Sequence, residues 1–374
     1  MVQTVVIGGT GLYTPEQKIS NEELVESFNT YVALYNEEHA EAIAAGTVQP
    51  LQPSSAEFIE KASGIRSRYV LDREGILDPK RMRPRLPTRA NDEPSFMCEM
   101  GVVACREALQ QAGVGVDGVD GIIVACSNMQ RPYPAIAVEL QAALGIEGWG
   151  YDMNVACASA AFGIQAAADA VRNGSARAVL VVSPEICSGH LNFCDRDSHF
   201  IFGDAATAVL VSAADGPPGE GQFEVLGTRL RTVFSNNIRN NRGFLNRSES
   251  PGRSEADRLF VQNGRRVFKD VVPMVSELIS THLRDLGIEP HSVRRFYLHQ
   301  ANLAMNEYIA RRVLGRDATA DDAPVILDEY ANTSSAGSVI AFHKHRDDIQ
   351  RDDIVVLSGF GAGYSAGCVV MRKH

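Results

Sequence analysis

Short apolar runs alternate along the chain with longer stretches of helical hydrophobic period. The strand-like runs include 121–125, 178–183 and 354–358, and the helical stretches include 98–113, 158–174 and 275–287. Alternation of this kind is typical of mainly parallel sheets covered by helices. The pattern therefore predicts an α/β fold.

The pattern is also repeated within the chain. Residues 121–128 match 295–302 at an offset of 174, and 181–183 match 356–358 at an offset of 175. Asp152 matches Asp328 at an offset of 176. A Gly- and Pro-rich loop at 213–221 separates the copies. We predict two duplicated halves, 1–214 and 222–374.

The alanine-rich helix expected at 158–174 is apolar nearly all round, which indicates burial between layers. Two stacked α/β halves then give a five-layer αβαβα sandwich. The first half also carries extra material, at about 29–57 and 73–92. A capping box at Ser20 begins a helix expected to run through Phe28, with Ala44 as the alternative end. Segment 73–92 holds six basic residues and three prolines, which predicts an irregular surface excursion, a lid or a docking patch.

Composition narrows the functional classes. No apolar run approaches the length of a membrane span, and the chain begins with a strand-like run rather than a signal peptide. The net charge of −10 argues against nucleic acid as a general partner. Seven scattered cysteines without a CxxC pair favour reduced thiols in a cytoplasm and no metal site.

Cys157 lies where a strand-like run changes to the alanine-rich stretch, so we expect it at a helix N-terminus. The helix dipole and free N–H groups there favour thiolate over thiol and can hold an oxyanion. This combination suits acyl transfer through a thioester. The alternative is a buried, inert cysteine.

Two further residues occupy suitable places. His299 follows an apolar strand, and Asn332 precedes Thr333, the repeat counterpart of Cys157 at an offset of 176. Each has the alternative role of a hydrogen-bonded loop residue. The glycine-rich segment 358–364 lies between two apolar strands, so we expect a hairpin-like loop that brings a backbone N–H close to a ligand. A nucleotide-binding loop would instead precede a helix.

At these residues the chain resembles the β-ketoacyl-[acyl-carrier-protein] synthase III family of the thiolase superfamily. The motifs that carry the resemblance are residues 152–158, 202–204, 299–302, 332–334 and the glycine-rich loop. The resemblance implies a thiolase-like fold, a catalytic set of Cys157, His299 and Asn332, and no cofactor. It also implies oxyanion donation by the N–H groups of Cys157 and Ala362, where many relatives have Gly.

The implied reaction initiates fatty acid synthesis. An acyl-CoA primer acylates Cys157, and malonyl-acyl-carrier protein then loses CO2 and attacks the thioester, with neutral His299 and Asn332 donating to the malonyl oxygen. The extra N-terminal segments favour a medium-chain primer. Alternatives are a Cys-His-Asn synthase of secondary metabolism, an enzyme joining two acyl chains, or an acyltransferase or non-catalytic subunit of the same fold. A thiolase is disfavoured because Cys368 falls in the last strand rather than in the loop.

The resemblance also implies binding residues. Phe58, in place of the usual Trp, and Arg196 would sandwich the adenine of CoA. A usual basic residue is replaced by Ala62, so part of the usual phosphate contact is missing, and 73–89 is the candidate segment to replace it.

Two surfaces of the protein are candidates for contacts with other chains. Arg265, Arg266 and Lys269 suit docking of an acidic acyl-carrier protein, with a solvated helix face as the alternative. Tyr133, where relatives carry Phe, would cross to the partner in a homodimer and close its primer pocket. The alternative for Tyr133 is a surface loop stiffened by prolines.

Overall fold

The computed structural model describes residues 3–214, 216 and 218–374, so Asp215 and Pro217 of the expected boundary loop lie outside the described residues. The strands are β1 Val5–Tyr13, β2 Gln17–Ser20, β3 Ser67–Val70, β4 Gly121–Ala125, β5 Trp149–Met153, β6 Ala178–Ile186, β7 Asp204–Ala213, β8 Phe223–Ser235, β9 Ile238–Asn240, β10 Phe260–Gln262, β11 Val293–Leu298, β12 Ile354–Gly361 and β13 Gly363–Lys373. The helices are α1 Asn21–Glu38, α2 Ala40–Ala44, α3 Ala56–Ser63, α4 Arg73–Leu77, α5 Phe96–Ala112, α6 Ile136–Leu144, α7 Ser159–Arg172, α8 Gly264–Asp285, α9 Leu303–Leu314, α10 Leu327–Tyr330 and α11 Ala336–Lys344.

The sheet shows the duplication directly. Its order is β11-β12-β13-β8-β1-β7-β6-β4-β5, so the run β1-β7-β6-β4 is repeated as β8-β13-β12-β11. In both copies the last pair is parallel and the other two pairs are antiparallel. The two copies meet at β1 and β8, where Val6 pairs with Glu224 and Ile7 with Phe223.

One part of the predicted repeat is wrong. Asp152 lies in β5, which pairs in parallel with β4, whereas Asp328 lies in the short helix α10. The spacing of the two aspartates is conserved, but the second half replaces the edge strand with a helical turn.

The five layers pack around one central and two outer apolar cores. Helices α7 and α11 lie in the central core, packed against strands of both halves. Helices α5 and α6 cover the outer face of the first half, and α8 and α9 cover that of the second. Along β4, Ile122 and Val124 face the outer core while Ile123 and Ala125 face the central one. The predicted αβαβα sandwich is confirmed.

The first inserted segment is a long helix with a loop folded back along it. Helix α1 extends through Glu38, and α2 continues to Ala44, so the predicted helix is interrupted at His39. Asn29 exchanges two hydrogen bonds with the backbone of Ser54, and Asn36 does the same with Leu51. These side chains fix the loop against the helix.

The second inserted segment is irregular beyond the short helix α4. It packs on α1, where the Ser27 hydroxyl donates to the Leu77 carbonyl at 2.9 Å and Met82 is buried. No residue of 73–92 lines the cavity that contains Cys157. The segment packs on α1 rather than over that cavity, and its role as a lid or a docking patch stays a prediction.

Helix α8 begins eleven positions before the predicted stretch 275–287. The Asn263 side chain caps it by accepting from the Arg266 N–H at 3.2 Å, and Pro273 lies within the helix. The internal proline, a residue that normally breaks helices, concealed the first turns. Across the described residues, no helix is both long and apolar enough to cross a membrane.

Candidate active site

Cys157 lies in a 3-10 turn, Ala156–Ala158, immediately before α7. The turn begins with Ala156 in a left-handed conformation, at φ 49°. The residue is half-buried and lines a cavity of about 610 Å³ that His299 and Asn332 also line. The structure thus brings the three residues of the expected catalytic set to one cavity.

The thiol itself does not have the low pKa that its position predicts. Burial raises the pKa of Cys157 to about 12, and the Glu185 carboxylate raises it further. The Ser334 hydroxyl and the N–H groups of Cys157 and Ala362 lower it, but burial prevails. The expectation of a resting thiolate is therefore corrected, because the depth of the cavity was not visible from a helix start.

His299 follows the last residue of β11 and is buried. Burial lowers its pKa to about 3, which the nearby Ser334 backbone offsets only in part. The Phe360 ring lies edge-on to the imidazole, with centroids 5.1 Å apart. The imidazole is therefore neutral at physiological pH and can donate a hydrogen bond from one ring nitrogen.

Asn332 is fixed by both backbone and side-chain contacts. Its N–H donates to the Ile201 carbonyl at 3.0 Å, and its carbonyl accepts from the Gly203 N–H at 3.1 Å. Its Oδ1 accepts from the Ser334 N–H at 2.8 Å. Because that N–H requires an acceptor, the amide Nδ2 is left to donate toward the cavity.

The glycine-rich segment turns sharply between β12 and β13 and passes close to the nucleophile. A Cβ placed on Gly361 would lie 2.7 Å from the Cys157 Cβ and 3.0 Å from its Sγ. The Ala362 N–H is close enough to hydrogen-bond to the thiol and lower its pKa. The backbone at this turn can therefore face a developing oxyanion on an acyl group carried by Cys157.

Phe58 and Arg196 are in direct contact. The Arg196 guanidinium stacks on the Phe58 ring, with its Cζ 4.3 Å from the centroid, and its Nε donates to the Pro53 carbonyl at 2.7 Å. Phe58 lines the cavity. The two residues expected to hold adenine are thus neighbours, in contact with each other.

Two basic residues of the segment expected to contact phosphate are engaged in ion pairs, Arg73 with Glu23 and Arg89 with Glu99. The supply of phosphate contacts by 73–89 stays a prediction. The side chains that line the cavity include one cation, Arg265, at the start of α8.

Arg266 and Lys269 lie on the same turns of α8 and are exposed. Tyr133 is 82% exposed and does not line the cavity of its own chain. Its place in a partner's pocket and the docking of a carrier protein on α8 stay predictions.

Two polar residues beside the nucleophile were not expected from the sequence. The Ser334 hydroxyl lies 3.4 Å from the Cys157 Sγ. Glu185 is fully buried and accepts hydrogen bonds from Ser127 and Ser335. An acidic residue inside an apolar strand was the available signal for Glu185. In the part of the chain described, no group of three or more His, Cys, Asp or Glu side chains could hold a metal ion.

Comparison with known proteins decides the family. A profile described as 3-oxoacyl-[acyl-carrier-protein (ACP)] synthase III matches residues 151–233, and the profile of its C-terminal part matches 283–373. The β-ketodecanoyl-[acyl-carrier-protein] synthase of Pseudomonas aeruginosa is 65% identical over 350 residues, which cover 94% of this chain and 100% of that protein. The chain belongs to the 3-oxoacyl-[acyl-carrier-protein] synthase III family.

Solved structures of similar synthases share the fold. The synthase III of Aquifex aeolicus is 24% identical, with 99% of both chains covered and a TM-score of 0.76. A priming β-ketosynthase from the R1128 polyketide pathway is 26% identical, with 99% of this chain and 96% of that chain covered and a TM-score of 0.77. This synthase III is therefore a thiolase-fold condensing enzyme, an acyltransferase of fatty acid biosynthesis.

Proposed function

We propose that this synthase III condenses a medium-chain acyl-CoA primer with malonyl-acyl-carrier protein through an acyl-Cys157 intermediate. The observation that carries the proposal is the cavity shared by Cys157, a neutral His299 and an Asn332 amide whose donor is free to face the substrate. Each group suits one step of a decarboxylative Claisen condensation.

In the first step the Cys157 sulfur attacks the acyl-CoA carbonyl. The new C–S bond forms as the bond to CoA breaks, and the thiol proton leaves with the CoA sulfur. The N–H groups of Cys157 and Ala362 hold the oxyanion of the tetrahedral intermediate. Because burial raises the thiol pKa to about 12, the thiolate is formed in the reacting complex rather than in the resting enzyme.

In the second step malonyl-acyl-carrier protein loses CO2. The electrons of the broken C–C bond move into the thioester carbonyl, whose oxygen becomes an enolate. His299 and Asn332 donate hydrogen bonds to that oxygen. A neutral imidazole suffices for this role, which agrees with its lowered pKa.

In the third step the enolate carbon attacks the acyl group on Cys157. A C–C bond forms, the C–S bond breaks and Cys157 leaves as a thiolate, which takes up a proton from solvent. The product is a β-ketoacyl-carrier protein longer than the primer by the two carbons that malonyl contributes.

The length of the primer is inferred from the close relative. That protein is named for a β-ketodecanoyl product, which corresponds to an octanoyl primer once the malonyl carbons are subtracted. At 65% identity the two chains should share a pocket of similar length. We therefore propose octanoyl-CoA as the best primer and no cofactor.

The remaining contacts are assigned on the same basis. Phe58 and Arg196 would hold the adenine of CoA, and the α8 cations Arg265, Arg266 and Lys269 would dock the acidic carrier protein. Tyr133 would enter the partner's pocket in a homodimer, which agrees with its exposure in the single chain. Seven free cysteines fit a reducing cytoplasm.

The test is a comparison of kcat/KM across acetyl-, butyryl-, hexanoyl-, octanoyl-, decanoyl- and dodecanoyl-CoA with malonyl-acyl-carrier protein. We expect a maximum at octanoyl-CoA and a ten-carbon β-ketoacyl product. A maximum at acetyl-CoA would refute the medium-chain assignment. A product built from two acyl-CoA molecules without the carrier protein would favour acyl–acyl joining instead.

A further inference from the structure

One residue outside the expected catalytic set contacts all three of its members. The Ser334 hydroxyl lies 3.4 Å from the Cys157 Sγ, its N–H donates to the Asn332 Oδ1 at 2.8 Å, and its backbone lies beside the His299 ring. Ser334 comes from the second half of the chain, whereas Cys157 comes from the first. It therefore joins the nucleophile to the two residues that act on malonate.

The geometry assigns the hydroxyl as donor to the sulfur. Among the described residues Ser334 Oγ has no other hydrogen-bond partner, so its proton is directed at Sγ. Such a hydrogen bond strengthens as the sulfur gains negative charge, because bonds to charged groups are stronger than bonds to neutral ones. In agreement, the Ser334 hydroxyl opposes the effect of burial on the Cys157 pKa.

The fold holds Ser334 in a conformation that it would not adopt freely. Its φ of 50° lies in the left-handed region, which a residue other than glycine seldom occupies. The next residue, Ser335, is fixed by Glu185, whose Oε1 accepts from the Ser335 N–H at 3.1 Å and from the Ser335 hydroxyl. Glu185 is buried and also accepts from the Ser127 N–H at 3.0 Å. Unfavourable backbone geometry that is fixed from one side is typical of functional sites.

We propose that Ser334 is a fourth catalytic residue, whose hydroxyl stabilises the Cys157 thiolate when it forms for attack on the primer and when it leaves after condensation. This role rests on the proposed function. The serine is neither acylated nor deprotonated, since it only donates a hydrogen bond to sulfur. Its N–H has a separate positioning role, because it orients the Asn332 amide.

These two roles can be separated by substitution. Ser334→Ala removes the hydroxyl but keeps the backbone N–H, so it should affect the sulfur and leave Asn332 oriented. Ser334→Gly also removes the hydroxyl but favours the left-handed backbone. If the hydroxyl is responsible, the two variants should behave alike. Ser276→Ala is a matched control, because it removes a buried hydroxyl that bonds the Val272 carbonyl on α8 at 2.7 Å, away from the cavity.

The first measurement uses iodoacetamide and does not depend on the identity of the substrate. The rate of Cys157 alkylation is followed by peptide mass across the pH range in which the protein stays folded. Removing the donor raises the thiol pKa, so less thiolate is present at a given pH. We expect Ser334→Ala and Ser334→Gly to alkylate about tenfold more slowly than wild type, as for one hydrogen bond to a charged group. Ser276→Ala should match wild type.

The second measurement compares the two half-reactions. Acylation of Cys157 by octanoyl-CoA should slow about tenfold in both Ser334 variants. Decarboxylation of malonyl-acyl-carrier protein should be unchanged in Ser334→Ala, because the N–H to Asn332 remains. Wild-type alkylation and acylation rates in both variants, or slowing in only one of them, would overturn the proposal. Failure of wild type to be acylated by any acyl-CoA would instead refute the proposed function, and slower alkylation of the variants would still support Ser334 as the donor.

Discussion

The backbone of Gly361 passes close to Cys157, which gives a specific prediction for Gly361→Ala. The added methyl carbon would lie 2.7 Å from the Cys157 Cβ and 3.0 Å from its Sγ. Carbon atoms in comfortable contact are separated by about 3.5–4.0 Å, so Cys157 or the turn must move by about 0.8 Å. Gly361 does not have a left-handed backbone, so the effect is one of contact rather than of conformation.

We expect Gly361→Ala to affect the acylation rate more than folding. Forcing a methyl into a filled site typically costs about 1–3 kcal/mol of folding free energy. A displacement of about 1 Å at a reacting group can cost about a hundredfold in rate. We therefore expect Gly361→Ala to fold, with a lowered Tm, and to acylate Cys157 about a hundredfold more slowly than wild type.

The assay is the rate of acyl transfer from octanoyl-CoA to Cys157, measured by quenched samples and intact mass, together with thermal unfolding. Gly8→Ala is the matched control, because its methyl would lie 3.4 Å from the Ala112 Cβ, an ordinary contact away from the cavity. It should acylate at the wild-type rate. A Gly361→Ala variant that acylates as fast as Gly8→Ala would refute the described approach of the turn to the nucleophile.

Four further predictions concern the steps of the reaction and the binding of its substrates. His299→Ala and Asn332→Ala should slow decarboxylation of malonyl-acyl-carrier protein more than acylation of Cys157; equal losses would point to a role in activating the thiol. Because the His299 pKa is lowered to about 3, the imidazole stays neutral above that pH, and the decarboxylation rate of wild type should show no inflection near pH 6.5. An inflection near pH 6.5 that is lost in His299→Gln would contradict this. Phe58→Ala should raise KM for acyl-CoA several-fold by removing the ring on which Arg196 stacks, while KM for the carrier protein is unchanged; equal KM values for acyl-CoA would remove Phe58 from the binding site. Tyr133→Ala should shift the preferred primer length in a protein that sediments as a dimer, and an unchanged length profile would exclude Tyr133 from the pocket.

The sequence was most informative about features that the duplication preserves. Both copies of the sheet keep the same strand order. The strands could be predicted because each has its own apolar run, and these runs repeat at a nearly constant offset. The edge of the sheet was predicted less well. An offset that aligned Asp152 with Asp328 could not show that the second half forms a helical turn there.

The active site, too, was predicted only in part. The residue types and spacing of Cys157, His299 and Asn332 were visible in the sequence, and the structure places them around one cavity. The raised thiol pKa was not visible, because it depends on how much protein surrounds the sulfur. Ser334 was missed because its partner is 177 positions away in the other half. Likewise, only the folded chain shows that Arg73 forms an ion pair with Glu23.

The most direct test of the account is the intact mass of the protein after exposure to octanoyl-CoA and then to malonyl-acyl-carrier protein. Wild type should gain the mass of one octanoyl group, located on Cys157 by peptide mapping, and should lose it to a β-ketodecanoyl-carrier protein in the second step. Cys157→Ser should show no gain. Acylation at another residue, or an acyl group that the malonyl substrate cannot remove, would contradict the proposed condensation through Cys157.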